Sequence, residues 1–344
     1  MNKHLIALAL LGLTAGAASA QSSITLFGVV DAGLRSIKTG TVSAKELATD
    51  GNSSSRFGFR GEEDLGNGLK AGFWLEAPLS TDTGKGDSTR LFNRRSTVSL
   101  ISNTAGEVRL GRDQLTTWTN FAAFDPFGTV GVGSVTALIH KQGATIDFKR
   151  ADNTVSYFLP GNLGGVYGQL QGSLGEGQSG KTDGFRLGFK SGAFDAAVAG
   201  TNIVSGTGAG GVTSGKWKEL NVAASYDFSV VKLIGEFVTN KRTVGGSADT
   251  KQKIWELAAT APVGAAGLVK FGYAKSTDYA QATKVALGYQ HNLSKRTALY
   301  GTFGQIKNKN AAANFTVAAD VTAPAVAGPN TKSTGYEFGI RHSF

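Results

Sequence analysis

A period of two governs this chain. Near the C-terminus, Tyr336, Phe338, Ile340, His342 and Phe344 share one parity, and Gly335, Glu337, Gly339, Arg341 and Ser343 the other. Successive side chains of a strand point to opposite faces, so the alternation reads as a strand with one apolar and one polar side. It recurs at Val285, Leu287, Tyr289 and Leu293 against Lys284, Ala286, Gly288, Gln290 and Asn292. It recurs again at Leu220, Val222, Ala224 and Tyr226 against Glu219, Asn221, Ala223 and Ser225, and at Ile24, Leu26, Val30 and Leu34 against Thr25, Asp31 and Arg35. Each apolar face runs for ~9–11 residues, the length of a tilted strand crossing a bilayer, whereas the strands of soluble domains average ~5–6. The polar faces carry full charges that only a water-filled interior could solvate. The pattern is that of a sheet with lipid on one side and water on the other.

Turns set the strand number. Short connections fall at 65–68, 103–106, 161–165, 191–193, 228–230, 264–267 and 294–296, and longer polar stretches at 36–54, 80–90, 116–146, 177–182, 205–215, 243–250, 277–281 and 308–332. Seven short turns alternating with eight longer loops join sixteen strands, which predicts an all-β, 16-stranded antiparallel transmembrane barrel. Sixteen strands enclose an aqueous channel, whereas eight would be filled by side chains. Residues 1–20 read as a cleaved signal peptide: a basic start, an apolar run over 5–13 too short to span, and Ala18-Ser19-Ala20 as the cleavage site. Residues 21–344 form one domain.

The chain has 48 Gly, 6 Pro and no Cys, which suits many tight turns and excludes a disulfide-stapled fold. Its formal charge is +10, of which Lys3 leaves with the signal peptide. No Lys/Arg cluster with interleaved aromatics accompanies that charge, so nucleic acid is not an expected partner. Enzyme chemistry finds no footing either. His291 and His342 carry the lipid-facing parity, His140 lies in a loop, and neither a G-x-S-x-G elbow nor an H-E-x-x-H metal motif occurs. The Gly-rich 206–211 is a loop, not a phosphate cradle. No cofactor or metal is expected.

Six segments resemble the general diffusion porins of Gram-negative outer membranes, especially the β-proteobacterial ones. They are SITLFGVVDAG at 23–33, SRFGFRGEEDLGNGLKA at 55–71, LFNRR at 91–95, GEVRLGR at 106–112, RADNTVSY at 150–157 and GYEFGIRHSF at 335–344. Together they run through the whole mature chain in order. The resemblance implies a homotrimer of 16-stranded barrels in the outer membrane, each pore narrowed by an inward-folded third loop. Outer-membrane lipid, lipopolysaccharide, the outer-membrane assembly machinery, small hydrophilic solutes and inorganic anions are the implied partners. Phe344 ends the apolar face of the last strand and resembles the signal read by that machinery.

The candidate constriction loop is 116–146, with FAAFDPFG at 121–128 where the family has its loop-tip turn. Its one carboxylate is Asp125, and Lys141 offsets it. By parity Arg56 lies with Arg60 and Glu62, opposite Phe57 and Phe59, while Arg150 lies with Asp152, opposite Val155 and Tyr157. The family has an arginine cluster facing the third loop, and Arg56, Arg94 and Arg150 match it. Arg94 is chosen over its neighbour Arg95 by the resemblance, since a regular strand turns only one of them inward. Arg35, Arg60, Glu62 and Asp152 are secondary lumen charges. Arg stays charged at any working pH and offers anions a planar donor fork. The expected function is passive, weakly anion-selective diffusion; the alternatives are a substrate-specific anion or sugar channel, and a barrel acting mainly as an adhesin through loops such as 308–332.

Overall fold

A computed structural model describes residues 23–139, 147–176, 180–205, 215–244, 248–318 and 329–344. The signal peptide, His140, Lys141, the Gly-rich 206–211 and the central part of the 308–332 loop lie outside the described residues.

The strands are β1 (Ser23–Thr39), β2 (Val42–Thr49), β3 (Arg56–Gly66), β4 (Leu69–Pro78), β5 (Arg95–Ser102), β6 (Gly106–Gln114), β7 (Arg150–Phe158), β8 (Val166–Ser173) and β9 (Lys181–Ser191). They continue as β10 (Phe194–Val204), β11 (Gly215–Asp227), β12 (Lys232–Val244), β13 (Thr250–Val263), β14 (Gly267–Asp278), β15 (Ala282–Asn292), β16 (Thr297–Asn308) and β17 (Lys332–Ser343). Each pairs antiparallel with the next strand in sequence, except β2 with β3, and β1 pairs with β17, so the sheet closes. The first strand is long enough to pair with two others on its second side. Residues 32–39 of β1 pair with β2 and residues 23–29 with β3. β2 and β3 are therefore one stave of the barrel interrupted at 50–55, and the barrel has sixteen staves.

All seven expected short turns are present and gather at one end. The expected long loop at 36–54 is not a loop. β1 runs to Thr39, the chain reverses at Gly40 (φ 59°), and β2 returns to Thr49. Polar residues occupy both faces of this hairpin, which removes the alternation that marks the other strands.

Burial is inside-out. Many large apolar side chains are exposed, among them Ile24, Leu26, Leu34, Leu187, Leu220, Leu257, Leu287, Phe338 and Ile340. The buried set includes Asp31, Arg35, Glu76, Glu219, Glu236, Glu256, Lys284 and Glu337. The apolar parity faces out and the polar parity faces in, as expected of a lipid-embedded barrel.

One segment packs against the polar inner face. Helix α1 (Thr116–Phe124) follows β6 and lies on β8–β12. It ends where Pro126 holds Asp125 extended (φ −71°, ψ 115°). The chain then runs to a 3₁₀ turn (Val135–Leu138) against β14 and β15. Here lies the apolar cluster within the barrel, in which Leu115, Trp118, Phe121, Val132, Val135 and Leu138 join Trp217, Val238, Ile254 and Ile306 of the wall.

Candidate functional site

Polar bonds from inward side chains fasten this inner segment to the wall along its length. Thr116 Oγ1 donates to the Gly200 carbonyl (2.8 Å). Asn120 and Asn221 bond through their amides (2.9 Å), and Asn221 donates to the Thr117 carbonyl (2.9 Å). Farther on, Glu337 accepts the Val132 amide (3.2 Å), Lys284 donates to the Ser134 carbonyl (2.6 Å) and Gln252 to the Leu138 carbonyl (2.7 Å). Bonds between buried partners are worth about 0.5–1.5 kcal/mol each, more when one partner is charged. The wall clears space for the segment at Gly304, where a Cβ would stand 2.1 Å from the Val132 carbonyl oxygen.

Asp125, expected as the acid opposite the arginines, does other work. It is buried, and its carboxylate accepts the Phe127 amide (2.8 Å), the Thr129 amide (2.9 Å) and the Ser134 hydroxyl (2.7 Å). It shapes the segment's own turn and does not line the cleft described next.

Between the inner segment and β1–β7 lies a cleft of about 570 Å3. Trp118, Ala122, Gly128, Thr129 and Val130 form one side of it; Arg56, Arg60, Arg94, Arg95, Lys149 and Arg150 supply its cations, and Glu76 is the one carboxylate side chain lining it. Arg56, Arg94 and Arg150 lie together in this cleft, and its six cationic side chains face one acidic side chain.

The arginines arrive by different routes. Arg56 opens β3, and its Nη1 donates to the Ser54 carbonyl (2.7 Å). Arg95 opens β5 with the inward parity of Thr97, so strand alternation turns Arg95 into the barrel. Arg94 precedes the strand, escapes the alternation and reaches the same cleft, so the choice between the two does not arise. Arg150 shows a second departure. Asn153 adopts φ 55° and the β6–β7 register shifts between Gly111 and Asp113, so parity counted back from Val155 does not carry through to residue 150. Arg150 is held instead by its Nε donating to the Arg94 carbonyl (2.7 Å). The same irregularity separates Asp152 from it: that carboxylate pairs with Arg90 (2.6 Å) and Arg112 (2.7 Å), away from the cleft.

Sequence reading missed Glu76, which accepts from Arg94 Nε (2.5 Å) and Trp74 Nε1 (3.0 Å) and stands 3.7 Å from Arg56 Nε. Its parity with Trp74 was available; the cross-strand register that sets it between Arg56 and Arg94 was not. Below it, the Trp74 ring takes the guanidiniums of Arg60 (5.1 Å) and Arg95 (4.5 Å) within cation–π range. Arg60, Trp74 and Arg95 also border a second hollow toward the short-turn end, together with Glu62 and Arg109. Glu62 pairs with Lys70 at 3.1 Å. Arg35 lies elsewhere, buried between Glu337 (2.7 Å) and Glu46 (3.2 Å), so its charge is balanced. Phe344 is half-exposed and also borders the cleft; its main chain exchanges two 3.1 Å hydrogen bonds with Gly28, and its ring covers that glycine so closely that a Cβ there would lie 2.3 Å from it. Among the described residues no group of His, Cys, Asp and Glu has the geometry of a metal site.

A closed barrel, apolar outside and charged within, with a cleft flanked by an inner segment, defines a membrane channel of the porin class. The Gram-negative porin family model matches residues 7–311, and the chain belongs to that family of outer-membrane channels. It is 41% identical to outer membrane porin protein 32 of Delftia acidovorans over the full length of both chains, and 29% identical, again over both full lengths, to an outer membrane porin protein of Bordetella pertussis. Its fold matches an anion-selective porin from Comamonas acidovorans with a TM-score of 0.85 at 37% identity, covering 94% of this chain and 100% of that one.

Proposed function

We propose that this chain forms a passive, water-filled outer-membrane channel for small hydrophilic solutes and inorganic ions, with a weak preference for anions. The observation that carries the reading is the cleft at the inner segment, where six Lys and Arg side chains face one acidic side chain, Glu76. In a narrow aqueous passage the low-dielectric wall focuses the field of fixed charges, so a net positive ring admits anions and repels cations. Arg56, Arg94 and Arg150 act as its filter. The segment 116–146, of which 116–139 is described, serves as the constriction loop. The Comamonas relative, 37% identical and anion-selective, supports the same sense of selectivity.

Around this core we place the remaining expectations: export by a signal peptide at 1–20, insertion read from the Phe344 end by the assembly machinery, a homotrimer bordered by lipid and lipopolysaccharide, and no enzymatic step. The deciding experiment is the reversal potential of the purified protein in a planar bilayer under a KCl gradient. Chloride preference is expected, weakening by roughly twofold or more when Arg56, Arg94 and Arg150 are all replaced by Gln. Cation preference in the wild type, or an unchanged value in the triple variant, would overturn the assignment of these arginines. Block by one solute at low concentration would instead indicate a substrate-specific channel.

A further inference from the structure

The interruption between β2 and β3 is built, not frayed. Residues 50–55 leave the stave toward the interior. Asn52 Nδ2 donates to Gln290 Oε1 on β15 (3.0 Å), and Lys270 of β14 donates to Asn52 Oδ1 (3.2 Å). Gly131 of the constriction segment approaches the Gly51 carbonyl so closely that a Cβ would stand 2.2 Å from it. Ser53 and Ser54 line the cationic cleft. These six residues therefore form a second internal segment that touches the first.

One side chain gathers the bend. Asp31 of β1 is fully buried, and its two carboxylate oxygens accept the amides of three consecutive residues: Gly51 at 3.2 Å, Asn52 at 3.0 Å and Ser53 at 2.8 Å. Tyr300 of β16 completes the shell, its hydroxyl donating at 2.6 Å. Ser55 closes the far side, with its Oγ donating to the Asp31 carbonyl (3.1 Å) and accepting the Asp31 amide (3.0 Å). The next carbonyl back, that of Ser54, is the one that holds Arg56 Nη1. A carboxylate accepting several backbone N–H groups is a strong, charge-assisted clamp.

We propose that Asp31 is a positioning residue of the channel: it folds 50–55 into the lumen and thereby aims the Arg56 guanidinium at the permeation path. The proposal rests on the porin reading above. It explains why a buried acid sits on the inner wall close to a cation-lined cleft without lining that cleft. Its negative charge is spent on amides, and its effect on ions is delivered through Arg56.

The sign of the effect separates this role from plain electrostatics. Asp31→Asn keeps the size but replaces one accepting oxygen with an NH2 that cannot accept an amide. Simple removal of a negative charge near the path would raise chloride preference. Misplacement of Arg56 would lower it. We expect Asp31→Asn to lower the chloride-to-potassium permeability ratio by roughly twofold in planar bilayers, while the barrel remains heat-modifiable on gels. Adding Arg56→Gln to Asp31→Asn should lower it little further. A ratio that is unchanged or raised in folded Asp31→Asn, or full additivity in the double variant, would overturn the proposal. Should Asp31→Asn not fold, Asn52→Ala, which cuts the tethers to Gln290 and Lys270, gives the same readout: a lowered ratio supports the proposal and an unchanged one overturns it. A wild-type protein that opens no ion-conducting pore would sink the porin reading itself before either variant is compared.

Discussion

Glu76 is the side chain on which the charge balance of the cleft turns. It shares its carboxylate between Arg94 and Trp74 and stands 3.7 Å from Arg56 Nε, so it both neutralises one unit of charge and fixes the direction of the Arg94 guanidinium. Glu76→Gln should therefore raise the chloride-to-potassium permeability ratio, by roughly twofold at ~0.1 M salt and by less at ~1 M, where the Debye length shrinks from ~10 to ~3 Å. Reversal potentials at the two salt levels check this; a fall in the ratio would mean that orienting the arginines matters more than cancelling their charge. Legibility at this scale depended on local regularity. Arg56 could be assigned to the interior from alternation with Phe57 and Phe59, because β3 is regular there. Arg150 could not, because the left-handed Asn153 breaks the count, and Glu76 could not, because register between strands is invisible in one sequence.

At the level of elements, turns were read best. Each short turn is bounded by Gly, Asn or Ser flanked by alternating strands, and that signal is local. The first hairpin was misread for the opposite reason: above the lipid its outward residues need not be apolar, so Ser36, Lys38 and Lys45 look like loop while the backbone remains strand. The path of the inner segment was beyond sequence alone, since its partners Asn221, Gln252, Lys284 and Glu337 come from four distant strands. The loop between β4 and β5 offers a test of local order. Asp87 accepts the Thr89 hydroxyl (2.7 Å), the amides of Thr89 and Arg90 (both 2.8 Å) and the Asn93 side chain. These bonds, the Thr89 hydroxyl foremost, lower its carboxyl from 3.8 to about 2. A depressed carboxyl favours the ordered loop once it is ionised. Its contribution is complete above the ordinary Asp value and is lost as pH falls through 3.8 toward about 2. The protection factors of the Thr89 and Arg90 amides in detergent, each taken against the intrinsic exchange rate at the same pH, should be higher at about pH 5 than below about pH 3, and Asp87→Asn should remove most of that difference. Equal protection at the two ends of that range would contradict it.

For the whole molecule, the outer surface decides assembly. Ile24, Leu26, Val30 and Leu34 project from β1, Ala32 keeps the face low between Val30 and Leu34, and Gly28 makes room for the Phe344 ring. The Phe338 and Ile340 side chains stand on the neighbouring β17. A low apolar face suits another barrel at close range as well as it suits lipid, because small residues let backbones approach. A homotrimer in mild detergent is the expected state, and sedimentation of the unheated protein should report three chains; monomer alone under non-denaturing conditions would refute it.

The seam between β1 and β17 also fixes the order of events in time. Val29 faces Ser343 across it, and Arg35 finds Glu337 at a sequence separation of 302. The first strand therefore keeps one raw edge until nearly the last residue has been delivered, and an open strand edge is a template for wrong partners. Contacts this distant in sequence form slowly. Until then the waiting edge stays open to wrong pairing, and the two hydrogen bonds between Gly28 and Phe344 are among the last that can form as the seam closes.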